Sequence, residues 1–202
     1  MLRVLDRSLS RLPRGARTAM DWAVTIVCAA AFVLVFQAEI AKPYRIPTAS
    51  MEPTLHCARP ANGCRATFSD RVIANRLAYR FRDPHRGETV VFRAPDAAET
   101  QCGESGTFVK RIVGLPGETV TMRDGAVSID GRRLDESWYI RSNAQAGTQS
   151  GSWQVPAGDY FLMGDNRTRS CDSRTWGPVP RKNLIGPVIA RYWPPQRVDL
   201  AP

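Results

Sequence analysis

The longest apolar stretch of the chain lies near its N-terminus and is continuous rather than periodic. Residues 22–36 form a run of 15 residues with no charged side chain, which is shorter than the ~20 residues that span a bilayer core. Residues 37–41 can extend this run, with Glu39 near its far end. A cleaved signal peptide and a buried core helix fit the length as well, but no clean A-x-A cleavage site follows the run. The pattern therefore favours an uncleaved transmembrane anchor over residues 22–41.

Beyond residue 67 the apolar runs are short, rich in Val, Ile, Phe and Tyr, and separated by Gly, Pro and Asp, which is typical of β-strands. The predicted strands cover residues 71–75, 89–93, 107–113, 118–123, 126–130, 159–163 and 184–193. Asp124-Gly125 predicts a tight hairpin turn, and Asp130-Gly131 predicts the next turn. Residues 141–153 are rich in Ser, Asn, Gln, Gly and Thr and predict an exposed loop. The pattern as a whole predicts a mostly antiparallel β fold on a membrane stalk.

The chain is basic, with 28 Lys+Arg against 19 Asp+Glu and a formal net charge of +9. Arginines dominate the segment before the apolar run, whereas few basic residues follow that run directly. By the positive-inside rule, this asymmetry predicts that residues 1–21 lie in the cytoplasm and that residues 42–202 form an extracytoplasmic domain. A positive charge also attracts nucleic acids, but the arginines are scattered instead of forming a patch with aromatic residues. We therefore predict no nucleic-acid partner.

Four of the five cysteines lie in the predicted extracytoplasmic domain, where an oxidising environment favours disulfides. Four cysteines allow three pairings. Cys57 and Cys64 enclose a short segment rich in turn residues, so a bond between them is favoured, which leaves Cys102 to pair with Cys171. A zinc site at His56, Cys57 and Cys64 is the alternative, but no second cluster has ligand spacing. We therefore predict two disulfides and no metal.

Familiar hydrolase motifs are missing from the sequence. Its two histidines, His56 and His85, lie in turn segments, and neither a G-x-S-x-G elbow nor a phosphate-binding glycine loop is present. A serine can instead be activated by a neutral lysine, whose pKa must fall from about 10.4 by burial among apolar neighbours. Among the three lysines of the chain, Lys110 alone lies within an apolar strand. Because side chains alternate along a strand, Lys110 and Arg111 point to opposite faces, and one can be buried while the other pairs at the surface.

The serine that could match this lysine is Ser50. It lies between Pro47 and Pro53, which restrict the backbone on both sides. The segment begins only a few residues beyond the predicted anchor, so we expect Ser50 close to the membrane surface. Ser50 and Lys110 are thus a candidate nucleophile and a candidate base.

Four sequence blocks stand around these two residues in a fixed order. They are residues 47–55 (PTASMEPTL), 86–92 (RGETVVF), 110–120 (KRIVGLPGETV) and 164–177 (GDNRTRSCDSRTWG). Together with the anchor, the blocks resemble those of bacterial type I signal peptidases, which are membrane-anchored serine proteases with a Ser/Lys dyad. The resemblance runs from about residue 20 to residue 193. The serine block alone is moderately specific, whereas the lysine and last blocks at the correct spacing make the match strong.

The resemblance implies a role for each matching residue. Ser50 would be the nucleophile and Lys110 the general base, while Thr48 would donate to the oxyanion beside the N–H of Ser50, and Ser170 would orient the lysine. The residues that would support the site by ion pairs are Arg111, Asp165, Asp172 and Arg174. No metal or other cofactor is implied.

The resemblance also implies the substrate and its path. Exported preproteins would be cut after a small-x-small motif, and they would lie extended as an added strand along residues 44–48 and the strand before Lys110. The residues expected to contact them are Tyr44, Ile46, Pro47, Phe108 and Val109. The implied fold has an antiparallel β catalytic region with a smaller β insertion, here only residues 122–158 and reduced to a hairpin and a loop. We expect a monomer, in contact with lipid, in the bacterial cytoplasmic (inner) membrane.

Three other functions share part of this pattern. A dedicated pilin or conjugation-type Ser/Lys peptidase would differ in its substrate. Self-cleaving repressors share the dyad, but they are cytoplasmic and carry a DNA-binding helix pair, whereas this chain has an anchor. A catalytically silent membrane-tethered β-module would not need both Ser50 and Lys110, which this sequence has.

Overall fold

A computed structural model of the chain describes residues 13–39, 41–103 and 105–200, which divide into two compact units, residues 1–40 and residues 41–202. The described part of the first unit is helix α1 (Arg14–Glu39). Within it, Gly15–Leu34 is long and apolar enough to cross a membrane, as judged by length and composition.

The exposed side chains of α1 agree with an apolar environment. Trp22, Ile26, Val27 and Phe32 each have more than half of their surface exposed. The transfer of apolar surface from water to an apolar environment is favourable. These exposed side chains are therefore suited to contact with lipid. The helix begins before the predicted anchor does, because Arg17 and Asp21 are compatible with helical backbone, and the chain is already extended at Ala41.

An antiparallel sheet of eight strands forms the main part of the second unit. Its strands are β1 (Ala41–Arg45), β2 (Arg71–Asn75), β3 (Thr89–Arg93), β4 (Thr107–Gly114), β9 (Asp159–Met163), β10 (Val179–Pro180), β11 (Leu184–Trp193) and β12 (Asp199–Leu200). They lie in the order β1-β2-β11-β3-β4-β9-β10, and β12 pairs with β11. Strand β11 thus lies between the half of the sheet that begins with β1 and the half that contains β4.

A second antiparallel sheet is inserted between β4 and β9. Its strands are β5 (Thr119–Arg123), β6 (Ala126–Ile129), β7 (Arg132–Arg133) and β8 (Gly151–Gln154), in the order β7-β6-β5-β8. The hairpin turn at Asp124-Gly125 is confirmed, with φ angles of 47° and 82° that a tight two-residue turn requires. The expectation of only a hairpin and a loop was wrong, because β8 pairs with β5 at the end of the predicted loop. Its exposed positions are Ser152 and Gln154, and this polar face hid the strand in the sequence.

Four short helices connect the strands. They are α2 (Ala78–Phe81), α3 (Asp96–Cys102), α4 (Asn143–Ala146) and α5 (Ser173–Trp176). The sequence analysis predicted none of them, and α4 lies within the predicted loop at residues 141–153. The longest, α3, ends at Gly103 with φ of 65°, which is the usual left-handed glycine after a helix.

Alternation along the central strands separates two apolar cores. Val91 of β3 packs on one face with Ile46 and Val72, whereas Val90 and Phe92 pack on the other face with residues of β4 and β9. The predicted strands were confirmed with few changes of bounds, because β-branched and aromatic residues that line a core carry a strong local signal. The mostly antiparallel β class was also confirmed.

Candidate active site

The candidate nucleophile lies in a buried turn just after β1. Ala49–Met51 forms one turn of 3-10 helix between extended residues, and Ser50 is 7% exposed. The hydroxyl oxygens of Thr48 and Ser50 are 3.3 Å apart. Prolines at positions 47 and 53 flank this turn, as the sequence indicated. Thr48 is exposed, so its hydroxyl is open to a ligand while remaining next to that of Ser50.

The last sequence block holds this turn in place through Asn166. The Asn166 amide N–H donates to the Ser50 carbonyl at 3.0 Å, and its side-chain amide donates to the Ala49 carbonyl at 3.0 Å. Two hydrogen bonds from one residue fix the peptide planes on both sides of the Ser50 Cα. The N–H of Ser50 is therefore held in one orientation, as an oxyanion donor must be.

Lys110 lies in β4, between β3 and β9, and is 1% exposed. It pairs with Val90 of β3, and β4 is in contact with the turn that carries Ser50. The expected division between a buried lysine and a surface arginine was wrong, because Arg111 is also 1% exposed. Each of the two cations is buried on its own face of β4.

Gly164 lies where the serine block, the lysine region and the last block meet. A methyl group on its Cα would lie 2.5 Å from the Ser50 carbonyl oxygen and 2.5 Å from the Ser170 Cβ, and it would also collide with the Ser170 hydroxyl. Ser170 and the Ser50 backbone therefore approach each other across a bare glycine. The Ser170 hydroxyl itself lies 3.5 Å from the Cys171 carbonyl.

Asp172 is a buried carboxylate beside Lys110. Burial disfavours its charge, but the Arg174 guanidinium donates to it at 2.8 Å, and the charge of Lys110 and the Gly164 N–H act in the same direction as Arg174. These interactions outweigh the burial and hold the pKa of Asp172 below its usual range. The carboxylate thus stays ionised, paired with Arg174 and within the electrostatic reach of Lys110.

Replacing Asp172 by Asn should reduce the free energy of unfolding near neutral pH by about 2 kcal/mol, through loss of the charged hydrogen bonds. Since the native pKa of Asp172 is lowered, its contribution is present above the pKa of the unfolded chain, about 3.9, and is lost as the pH falls through the lower native value. The difference between wild type and Asp172→Asn should therefore shrink below about pH 4. Urea unfolding over a pH series measures this difference. The exposed control Asp96→Asn should show no such trend, and a difference for Asp172→Asn that stays constant down to acid pH would contradict the prediction.

Arg111 and Asp165 form an ion pair on the opposite face of β4. The guanidinium donates to both carboxylate oxygens, at 2.8 and 2.6 Å, and to the Gly87 carbonyl at 2.6 Å. It also stacks on the rings of Trp138 and Tyr139, at 4.5 and 4.4 Å. Both members of the pair are fully buried. This bidentate pair fixes the start of the last block against β4.

The inserted region contributes to this network in a way that the sequence pattern did not predict. Glu136 pairs with the fully buried Arg167, and the Gln145 side-chain amide donates to the Asp165 carbonyl at 2.8 Å. Both residues come from the segment after β7, whose pattern predicted only a polar loop at its end. The partners are about twenty or more residues apart in the sequence, and no local pattern reports such a contact.

The residues expected to contact the substrate divide between the two faces of β4. Tyr44, Ile46 and Val109 pack together in the core beside the Ser50 turn. Phe108 instead packs against Phe92 and Trp176 in the other core. Pro47 is exposed next to Ile46, so four of the five residues border one surface.

The structure joins the four cysteines of the second unit in two disulfides. Cys57 is bonded to Cys64, and Cys102 at the end of α3 is bonded to Cys171, next to Ser170. Cys28 in α1 is free. Within residues 13–39, 41–103 and 105–200, no group of three or more His, Cys, Asp or Glu side chains is arranged to hold a metal ion.

Comparison with known proteins gives a consistent result. Residues 19–193 match the family model described as "Signal peptidase, peptidase S26". The chain is 38% identical over 183 residues to probable signal peptidase I-2 of Synechocystis sp., covering 91% of this chain and 77% of that protein. It is 36% identical over 192 residues to signal peptidase I of Leptolyngbya laminosa, with coverages of 94% and 88%. It is 34% identical over 170 residues to thylakoidal processing peptidase 1 of Arabidopsis thaliana, with coverages of 82% and 46%.

Proposed function

This chain belongs to the signal peptidase family, peptidase S26, and we propose that it removes signal peptides from exported preproteins with Ser50 as nucleophile and Lys110 as base. Its class is that of a serine-type endopeptidase. The observation that carries the assignment of residues is the burial of Lys110, 1% exposed, on a strand that contacts the turn of Ser50. A general base must be a neutral amine, and burial disfavours the charged form of a lysine.

The mechanism begins with proton transfer from the Ser50 hydroxyl to the Lys110 amine. The Ser50 oxygen attacks the carbonyl carbon of the scissile peptide bond, and the oxyanion that forms accepts hydrogen bonds from the Ser50 N–H and the Thr48 hydroxyl. The ammonium of Lys110 then returns the proton to the leaving amine, and the C–N bond breaks to give an acyl-enzyme. Water, deprotonated by Lys110, attacks the ester and restores the Ser50 hydroxyl. Ser170 acts through the lysine by accepting or donating a bond that orients the amine.

The residues before the cut follow the surface between β1 and β4. Ile46 and Val109 lie in one core cluster, and a substrate beside them would find only shallow apolar space, which suits small side chains at the first and third positions before the scissile bond. Main-chain hydrogen bonds along this surface would hold the substrate extended. Tyr44 and Pro47 border the same path, whereas Phe108 packs against Phe92 and Trp176 on the face of β4 that carries Lys110.

Helix α1 associates the enzyme with a membrane. We propose that this membrane is the bacterial cytoplasmic membrane, that residues 1–21 face the cytoplasm, and that the second unit works on the outer side. The arginines of the N-terminal segment and the oxidised cysteines of the second unit both support this orientation.

Incubation of the purified full chain in detergent with a preprotein should give one cut, directly after the small-x-small motif of its signal peptide. Mass spectrometry of the mature product identifies the new N-terminus. A matched preprotein with Phe in place of the small residue before the cut should remain intact, because the space near Ile46 and Val109 is shallow. Cleavage at unrelated sites, or none at all, would contradict the proposal.

A further inference from the structure

A cavity adjoins the turn that carries Ser50. It encloses about 540 Å³, and its lining includes Glu52, Pro53, Gly63, Cys64, Asn166 and Arg169. Gly63 is closely packed there, since a methyl group on it would lie 3.0 Å from the Ala49 Cβ and 2.7 Å from the Arg169 guanidinium. Asn166 is the residue that bonds the Ala49 and Ser50 carbonyls. The cavity therefore adjoins the turn of the nucleophile, and its nearest lining residue in the sequence, Glu52, is two residues from Ser50.

Three arginines give this cavity a positive charge. Arg65, Arg141 and Arg169 line it, and all three are exposed. Arg169 donates to the neutral side chain of Asn62 at 3.0 Å, and among the residues that the structure describes none of the three arginines pairs with a carboxylate. Other arginines near the site, such as Arg111 and Arg174, are paired. These three guanidinium groups thus face solvent uncompensated.

Glu52, the acidic residue of the lining, does not neutralise them. It is 3% exposed, one carboxylate oxygen is bonded to His56 Nδ1, and the other accepts from the Cys57 N–H at 3.2 Å. Both oxygens of its carboxylate are thus already hydrogen-bonded to His56 and Cys57, behind the surface of the cavity. An anionic ligand in the cavity would therefore meet three cations that are not paired with Glu52, the acidic residue of the described lining.

We propose that this cavity binds the residues of the preprotein that follow the cut, and that its arginines favour substrates with acidic residues there. The residues before the cut follow residues 44–48 and 107–109, and none of these ranges contributes to the described lining of the cavity. Glu52 and Pro53, which directly follow the turn of Ser50, line the cavity, so a chain that passes over Ser50 can continue into it. The inference rests on the proposed function, because it needs Ser50 to be the point of cleavage.

Peptide substrates that are identical up to the cut can test the preference. Each residue after the cut is exchanged in turn between Asp, Asn and Lys, and kcat/KM is measured with the full chain in detergent. At one or two positions, Asp should be cut about tenfold faster than Lys, with Asn between them, because a single exposed charge pair contributes at most about 1 kcal/mol and Lys adds repulsion. The preference should weaken as salt is raised.

Changing the charge of the cavity arginines distinguishes a role in substrate binding from a role in the stability of the fold. Arg141→Glu should invert the preference so that Lys substrates are cut faster than Asp substrates, and Arg141→Gln with Arg169→Gln should bring the Asp-to-Lys ratio close to one. General losses of activity cancel in that ratio. Arg132→Gln is the matched control, because Arg132 is an exposed arginine on β7 outside the cavity, and it should leave the ratio unchanged.

The possible failures are distinguishable. If wild type cuts all the peptides at equal rates, the cavity does not read the charge, and the inference is overturned while the proposed function stands. If wild type cuts no peptide, the proposed function fails, and the inference falls with it. If the Arg141 and Arg169 changes leave the ratio intact and instead weaken binding to phosphatidylglycerol vesicles, the cavity serves lipid headgroups and the inference is wrong.

Discussion

Replacing Ser50 by Ala should reduce preprotein cleavage by at least about 10⁴-fold, because removal of a nucleophile leaves only the oxyanion donors and substrate binding to act on the peptide bond. The Ser50 hydroxyl has no substitute in the site, since Thr48 is exposed at the position of an oxyanion donor. The variant should fold normally, because the loss is one hydroxyl in a turn whose backbone bonds come from Asn166. Single-turnover cleavage of a preprotein in detergent measures the effect, and Ser152→Ala on an exposed position of β8 is the control.

Two different replacements of Lys110 should each reduce preprotein cleavage by about as much as Ser50→Ala does. Lys110→Met keeps the length of the side chain but removes the amine, and Lys110→Arg keeps a cation that cannot lose its proton near neutral pH. If the lysine only balanced the charge of Asp172, then Lys110→Arg would retain activity, and that result would contradict the role of base. The chain offers matched controls in its two other lysines, Lys42 and Lys182, which are exposed, and their replacement by Met should leave cleavage within about twofold, as for other surface substitutions.

Gly164→Ala should cost at least about 10²-fold in kcat/KM, because a shift of about 1 Å in a catalytic group has effects of this size. The added methyl group cannot fit between Ser170 and the Ser50 carbonyl, both 2.5 Å from its position, so one of the two segments must move. Gly158→Ala is the control. Gly158 has φ of 84° but open space around it, so that change costs only backbone strain, about 1 kcal/mol of stability.

A stability measurement distinguishes a local shift in the Gly164→Ala site from a general loss of folding. Thermal unfolding followed by near-ultraviolet circular dichroism reports whether Gly164→Ala retains a packed core. A folded variant with full activity would show that the close approach of Ser170 to the Ser50 turn is not needed for cleavage. A folded variant with low activity and unchanged KM would place the defect in the chemical step.

The sequence predicted those parts of the fold whose signal is local. Strands β2, β3, β9 and β11 have the predicted bounds, because each lines a core and alternates or runs apolar over its length. Helix α1 was visible as an apolar run. Strand β8 was missed because its outward side chains are Ser and Gln, it begins with Gly151, and Ser150 precedes it, a composition that is equally typical of a loop.

The candidate site shows the same limit. The roles of Ser50, Lys110, Asp165 and Asp172 came from a resemblance of blocks, which carries their spacing and not their contacts. The two hydrogen bonds of Asn166 to the Ser50 turn join segments far apart in the chain, and so does the stacking of Arg111 on Trp138. Contacts of this kind depend on how the sheets pack, and a sequence pattern of period two contains no information about them.

The position of β11 in the chain determines how late in its synthesis this enzyme can become active. The half of the sheet that leads into Ser50 and the half that carries Lys110 are hydrogen-bonded to each other only through β11 among the described strands, and β11 is Leu184–Trp193, near the end of the chain. Asn166, which fixes the serine turn, lies 117 residues after Ala49. A growing chain therefore has a serine and a lysine without a common sheet. We expect no cleavage activity until β11, the last long strand among those described, has been made.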